Sequence, residues 1–419
     1  MENYIALSIP VFFVLIIIEL FIASGQRKNY YRFNDSIIDL SCGTGQQVVG
    51  VFFKTFLYAG YLYIYNNHSF FKFTTGSTAA WAVAFIGVDF CYYWWHRMSH
   101  QVNFMWAVHV VHHQSEEYNL TVALRQAWFS SITGWSFYVP LAFLGIPPLV
   151  FLTTSSFSTL YQFWIHTRVI GKLGPIEWLF NTPSHHRVHH GRDEKYIDKN
   201  HGATLIIWDR LFGTFKEEEE EPLYGTVSPY TSWNPIWANF YYWVELARMA
   251  RKAPYFVDKI KIWFMYPGWQ PREYTKESST QIADPKARIR FNTRVPRGLV
   301  WYVTAHFVPV TFAATALLFI EKKASLGMLA GVAFLILLTS LVWGALFEKK
   351  SWALPLELGR LALVGAATVF YCWGNRGLLP LAAAIILSLI IFAIWVLRYR
   401  QLFSVSRTEV VHTLIGSES

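Results

Sequence analysis

The chain opens on IALSIPVFFVLIIIELFIAS, residues 5–24, an apolar run of 20 residues broken by one acid, and no other feature limits the possible folds so strongly. At about 1.5 Å per helical residue, such a run crosses the roughly 30 Å hydrocarbon core of a bilayer. It lacks the basic leader and the small-residue cleavage site of a signal peptide, so it reads as a retained span. Comparable runs recur near 47–65, 78–95, 128–145 and 148–165 and, after a polar stretch, near 299–320, 327–346, 359–374 and 378–397. Nine spans are therefore predicted, in an all-α, multi-pass integral membrane protein. Composition agrees: 15% of residues are charged and 53% hydrophobic, whereas soluble domains carry about 25% charged residues. Three parts follow from the pattern: N-terminal spans in 1–75, a polar-rich part in 76–297 that carries the histidine clusters, and a C-terminal bundle of four spans in 298–419.

The net charge of +9 does not indicate nucleic acid, because the basic residues flank apolar runs instead of forming one stripe. Their placement sets orientation. Arg27, Lys28 and Arg32 put the end of the first span in the cytoplasm and the N-terminus outside. Counting onward, His96 and Arg97 reach the cytoplasmic face, the Gly145-Ile-Pro-Pro148 turn lies on the far side, and His166 is again cytoplasmic. Arg398, Arg400 and Arg407 keep the C-terminus inside, while Lys322 and Lys323 run against the pattern. Both a bacterial inner membrane and the endoplasmic reticulum would present this face to the cytosol. Cys42, Cys91 and Cys372 form no C-x-x-C pair, which excludes a thiolate zinc site. The acidic run Glu217–Glu221 is expected to be simply solvated.

Against this apolar background, histidines are concentrated on the cytoplasmic face. His96 and His100 are spaced i, i+4; His109, His112 and His113 are spaced i, i+3, i+4; and SHHRVHHG repeats that spacing in His186, His189 and His190. These offsets share a helix face, whereas adjacent imidazoles diverge by about 100° and can reach different metals. With His166 there are nine, more than one ion can bind, so two metals are predicted. His185 is an additional candidate. His68, His306 and His412 stand alone and are read as structural.

A nitrogen-rich, carboxylate-poor donor set suits zinc, copper, iron or nickel. No glutamate is interleaved to act as the base of a zinc hydrolase, and open positions on two irons beside a lipid interior suit O2 activation, so iron is favoured. A histidine-rich metal transporter is the alternative of another class. It would place its ligands near the midplane along a pathway, whereas these cluster at one face.

The three clusters resemble the eight-histidine signature of the membrane fatty acid hydroxylase and sterol desaturase superfamily. More narrowly, DFCYYWWHRMSH, WAVHVVHHQSEEYNLTVALRQ, YQFWIHT, NTPSHHRVHHGR and IDKNHGATLIIWDRLFGTF resemble the alkylglycerol monooxygenase family, closely over about residues 80–216. The resemblance implies two iron ions, O2 as co-substrate and tetrahydrobiopterin as reductant. The implied reaction is hydroxylation of the O-alkyl carbon of a glyceryl ether, giving a fatty aldehyde and glycerol. It makes His96, His100, His109, His112, His113, His186, His189 and His190 iron ligands and adds His166, which matches an extra ligand of related desaturases. A sterol or fatty acyl hydroxylase or desaturase is the alternative within the same chemistry. Gln101 and His201 depart from the family pattern, which usually has an acid and a tyrosine there.

Asp89 shares a helical stripe with His96 and His100. It is expected either to hold a ligand imidazole or to pair with Arg97 or Arg125. Asn119, Arg125, Asp198, Asn200 and Asp209 lie in matching runs and are candidates for groups behind the ligands or beside a pterin. The expected partner is a membrane lipid, an alkylglycerol or lyso-ether lipid.

Overall fold

The computed structural model describes residues 4–273, 289–374, 376–404 and 413–414. They form two units: Met1–Tyr230 with Ala238–Arg288, and Thr231–Trp237 with Ile289–Ser419. The first unit begins with α1 (Tyr4–Gly25), α2 (Phe33–His68) and α3 (Thr78–Gln101), followed by the short α4 (Asn103–His113) and α5 (Leu120–Ala123). Next come α6 (Ser130–Leu144), α7 (Pro148–Trp164), α8 (Pro183–His189), α9 (Ile207–Leu211), α10 (Pro235–Lys252) and α11 (Phe256–Phe264). The second unit contains α12 (Arg297–Ile320), α13 (Leu326–Phe347), α14 (Ala353–Cys372) and α15 (Leu379–Leu397), with a two-residue antiparallel ladder between Ile289–Arg290 and Thr413–Leu414.

Each of the nine predicted runs falls on a helix, but among the described residues only α1, α2 and α12 to α15 are both long and apolar enough to cross a membrane. The other three differ for identifiable reasons. α6 and α7 have 15 and 17 residues, about 23–26 Å of helix, because Gly145 stops the first in a left-handed turn (φ 92°) and Pro148 starts the second. α3 is long enough at 24 residues, but it carries Asp89 at its middle and His96, Arg97 and His100 in its C-terminal half. Conversely, α2 extends well beyond the predicted 47–65. Its 36 residues rise about 54 Å, and Asp35 and Asp39 near its start are buried.

Apolar packing joins the helices that frame the site. Phe12 and Ile16 of α1 pack with Leu120, Ala123 and Phe163. Tyr61 of α2 stacks on Phe151 of α7 at 4.5 Å, in a cluster with Val88, Leu141, Ile146 and Val150.

The acidic run is not merely solvated. Glu217 pairs with Lys172 (2.6 Å), Glu218 with Arg187 (2.6 Å), Glu219 and Glu220 with Lys195 (3.1 and 2.8 Å), and Glu221 with Arg168 (3.4 Å). The five acids meet basic partners on both sides of α8, so the loop clasps the third histidine cluster.

Candidate metal centre

Four elements bring the imidazoles together. α3 contributes His96 and His100 from its last turns, and Val102, in extended conformation, ends that helix before α4 begins. α4 carries His109, His112 and His113, while His166 follows the end of α7. In α8, Pro183 occupies the first turn, where its missing N–H costs nothing, and the helix carries His186 and His189 with His190 as its C-cap.

The nine imidazoles are all buried and divide into two sets. His96, His100, His109, His113 and His189 form one, and His112, His166, His186 and His190 the other; within each set the donor atoms lie within 4.8 Å of one another. Thus α4 and α8 each serve both sets. Adjacent residues part company, His113 from His112 and His189 from His190, as expected from their divergence around the helix. The sets abut where the His113 and His190 rings stack at 4.4 Å.

The outward nitrogens are anchored. Nδ1 of His96 lies 2.8 Å from the His201 carbonyl, that of His112 3.0 Å from the Arg125 carbonyl, that of His166 2.7 Å from the Gln162 carbonyl and that of His189 3.0 Å from the Lys199 carbonyl. Nδ1 of His100 faces Asp198 at 3.5 Å. A carbonyl can only accept, so these four Nδ1 atoms carry the proton and Nε2 turns its lone pair inward. Inward nitrogens consequently crowd: His96 and His109 Nε2 are 3.0 Å apart, His113 and His109 3.2 Å, His166 and His112 3.2 Å, and His186 and His166 3.0 Å. Nε2 of His100, His189 and His190 is buried without any partner.

Burial, reinforced by neighbouring imidazoles, holds His109, His113, His186, His189 and His190 well below the ordinary value of 6.5, and burial takes His112 to about 4. Neutral imidazoles with converging lone pairs suit a cation and little else, so the donor sets fit metal ions.

Behind the ligands lies a buried polar network. Arg125 donates to the Val111 carbonyl at the end of α4 (2.7 Å), to Asp39 of α2 (3.0 Å) and to Gln114 (2.9 Å). Glu19, 2% exposed within α1, accepts from Tyr31, Thr167 and the Leu120 N–H. Neither Glu19 nor Asp39 was singled out from sequence. A lone acid inside an apolar run was the available signal for Glu19, since such residues have partners.

The other candidates have more definite places. Asp89 takes neither expected partner: it accepts from the Thr204 and Leu205 N–H groups (2.8 and 3.2 Å) and from Trp208 (2.8 Å), pinning the 204–208 turn to α3. Asn119 caps α5 through Thr121 (2.9 Å) and donates to the Tyr30 carbonyl. Asn200 joins the His185 carbonyl to Lys216, and Asp209, which burial pushes up to about 6, accepts from the His201 and Gly202 N–H groups. His185 belongs to neither set, and its ring packs on Phe215 at 5.4 Å. His201 is a further buried imidazole outside both sets. Its ring lies 5.0 Å from that of His100, and neither of its nitrogens has a partner. His306 is buried in the second unit against Phe392, His68 ends α2, and His412 lies outside the described residues.

Two abutting histidine sets among apolar helices define a class, the histidine-box membrane oxidases, and comparison with known proteins agrees. The fatty acid hydroxylase family model matches residues 81–214. Alkylglycerol monooxygenase of Xenopus tropicalis is 40% identical over 368 residues, covering 86% of this chain and 81% of that protein; the Homo sapiens enzyme is 39% identical over 366 residues, covering 85% and 80%. Ornithine lipid hydroxylase OlsE of Rhizobium tropici is 30% identical over 151 residues, 32% of this chain and 43% of that protein. No solved structure matches. The chain belongs to the alkylglycerol monooxygenase family, within the fatty acid hydroxylase superfamily, and is a multi-pass membrane protein.

Proposed function

We propose that the protein is a glyceryl-ether monooxygenase in which two iron ions are held by the five-histidine set (His96, His100, His109, His113, His189) and the four-histidine set (His112, His166, His186, His190). The observation that carries this reading is the division of nine buried imidazoles into two adjoining donor sets with no carboxylate in either. Iron would supply the redox chemistry that places one oxygen atom of O2 on the ether carbon, with electrons from tetrahydrobiopterin.

The chain's own residues provide a fixed frame for that chemistry. The carbonyls of His201, Arg125, Gln162 and Lys199 hold their imidazoles in one tautomer, so little reorganisation is needed when charge changes. Burial of every donor excludes water from the reacting carbon. Oxygen insertion beside the ether oxygen leaves a hemiacetal. As its carbon–oxygen bond to glycerol breaks, the hydroxyl proton passes to the departing glycerol oxygen, and the products are an aldehyde and free glycerol.

The proposed topology has nine crossings, the N-terminus outside and the histidines at the cytoplasmic face of an inner membrane or the endoplasmic reticulum. Its parts are N-terminal spans in 1–75, a catalytic part in 76–297 and a C-terminal bundle in 298–419. The α6–α7 hairpin enters and leaves on the same side whether or not it crosses fully, so the face of the histidines does not depend on its depth.

The test is to feed an alkylglycerol, O2 and tetrahydrobiopterin to purified protein with iron quantified in the same sample. Aldehyde and glycerol in equal amounts, at about two irons per chain, are expected. Iron-loaded protein that yields neither product refutes the assignment.

A further inference from the structure

A cavity of about 550 Å³ lies between α3 and α7, in the first unit. Trp81 and Phe85 form one wall, Thr154, Leu160 and Tyr161 the other, and Thr204 closes one end. Its size falls within the roughly 300–1,000 Å³ usual for small-molecule sites. Trp81, Phe85 and Phe157 are 38%, 41% and 59% exposed along its open side, so the cavity opens through apolar side chains.

The placement of the walls gives the cavity a direction. α3 and α7 both run toward the histidines, the first ending at His96 and His100 and the second just before His166. Tyr161 and Thr204 therefore mark the end nearer the metal centre, and Thr204 belongs to the turn that carries His201, whose carbonyl holds His96. From Thr154 to the end of α7 at Trp164 the helix rises about 15 Å, and from Trp81 to His96 about 22 Å. That length is close to one leaflet of the hydrocarbon core, about 15 Å, the reach of a single lipid chain. Two polar groups at the inner end are engaged: Tyr161 donates to the Asn181 carbonyl (2.7 Å), and the Thr204 N–H is taken by Asp89. The hydroxyl of Ser158, also in the lining, has no hydrogen-bond partner among the described residues, and the aromatic and aliphatic remainder suits hydrocarbon.

We propose that this groove seats the alkyl chain of the ether lipid, with the ether carbon beyond the Tyr161–Thr204 end, toward the histidines, and the chain terminus toward Trp81 and Thr154. The chain enters sideways from the bilayer along the open side, and the far end sets the longest chain accepted. The inference rests on the glyceryl-ether reading and adds the substrate's location to it.

The test is the chain-length profile of kcat/KM for a series of alkylglycerols. Thr154→Phe shortens the groove and should lower kcat/KM for the longest chains relative to the shortest by about tenfold or more. Trp81→Ala opens the far end and should move the optimum to longer chains, which keeps the proposal testable if Thr154→Phe does not fold. A wild-type profile in iron-loaded Trp81→Ala, and in Thr154→Phe where it folds, would overturn the proposal. If the wild-type protein produced no aldehyde at any chain length, the functional reading would fail separately. The groove would then be judged by binding: an alkylglycerol brominated along its chain should quench Trp81 fluorescence, a loss absent in Trp81→Phe, and equal quenching in both would rule the groove out.

Discussion

At the scale of single residues, the parting of neighbours has chemical consequences. His113 and His112 are adjacent in sequence but face different donor sets, so replacing each should affect a different ion. His113→Ala and His112→Ala are each expected to abolish turnover and lower iron from about two toward about one per chain, with different spectra for the ion retained. Identical residual spectra would contradict the division. Asp198 faces Nδ1 of His100 at 3.5 Å; if it supports that ligand, Asp198→Asn should weaken metal retention by about 10- to 100-fold in competition with a chelator, since groups behind a ligand contribute on that scale. The depressed imidazoles also set a pH dependence. Unfolded histidines take up protons near 6.5, whereas burial holds His112 down to about 4 and keeps His113 and His189 well below the ordinary value. Stability of the metal-free protein is thus complete above about 6.5 and lost progressively as pH falls toward about 4. Thermal unfolding of apo-protein across that range should show the decline, and a flat profile would mean the imidazoles are not held neutral. The histidine spacing was legible from sequence because helical offsets are local. The roles of Asp89 and His201 were not, because both depend on a turn near residue 204 that reaches α3 from more than a hundred positions away in the chain.

At the scale of elements, short helices and tight turns position the ligands. Gly145 ends α6 at φ 92°, and a β-carbon there would meet the Phe71 carbonyl. Gly145→Val combines a disfavoured backbone with that collision, and should cost about 2 kcal/mol or more, read as a lowered Tm in detergent. The Gly-Ile-Pro-Pro signal for this turn was plain in the sequence, but the resulting helices are too short to satisfy a simple span criterion, and only coordinates give their length. The acidic loop shows the opposite. Its composition suggested a solvated tail, yet Arg187 and Glu218 form a two-pronged pair (2.6 and 2.7 Å) with both side chains largely buried. Composition cannot reveal such a clasp, since the partners come from three separate segments. Glu218→Gln should destabilise the fold by about 3 kcal/mol by leaving a buried guanidinium half-paired, and loosen α8 enough to speed iron release.

At the scale of the whole molecule, orientation is the testable property. If the histidines face the cytoplasm, protease added outside sealed cytoplasm-out vesicles should cleave within 217–221 while sparing a tag at the N-terminus; the reverse pattern would invert the topology. The sequence by itself determined the fold class, the membrane setting and the nine imidazoles, because hydrophobic length, basic flanks and helical spacing are properties of short contiguous segments. Only the tertiary structure decided which imidazole joins which set, which carbonyl orients it, and that Glu19 and Asp39 brace the loops behind it. These depend on the packing of α1, α2, α3, α4, α7 and α8 against one another, and contacts between distant segments leave no periodic trace in the chain that makes them.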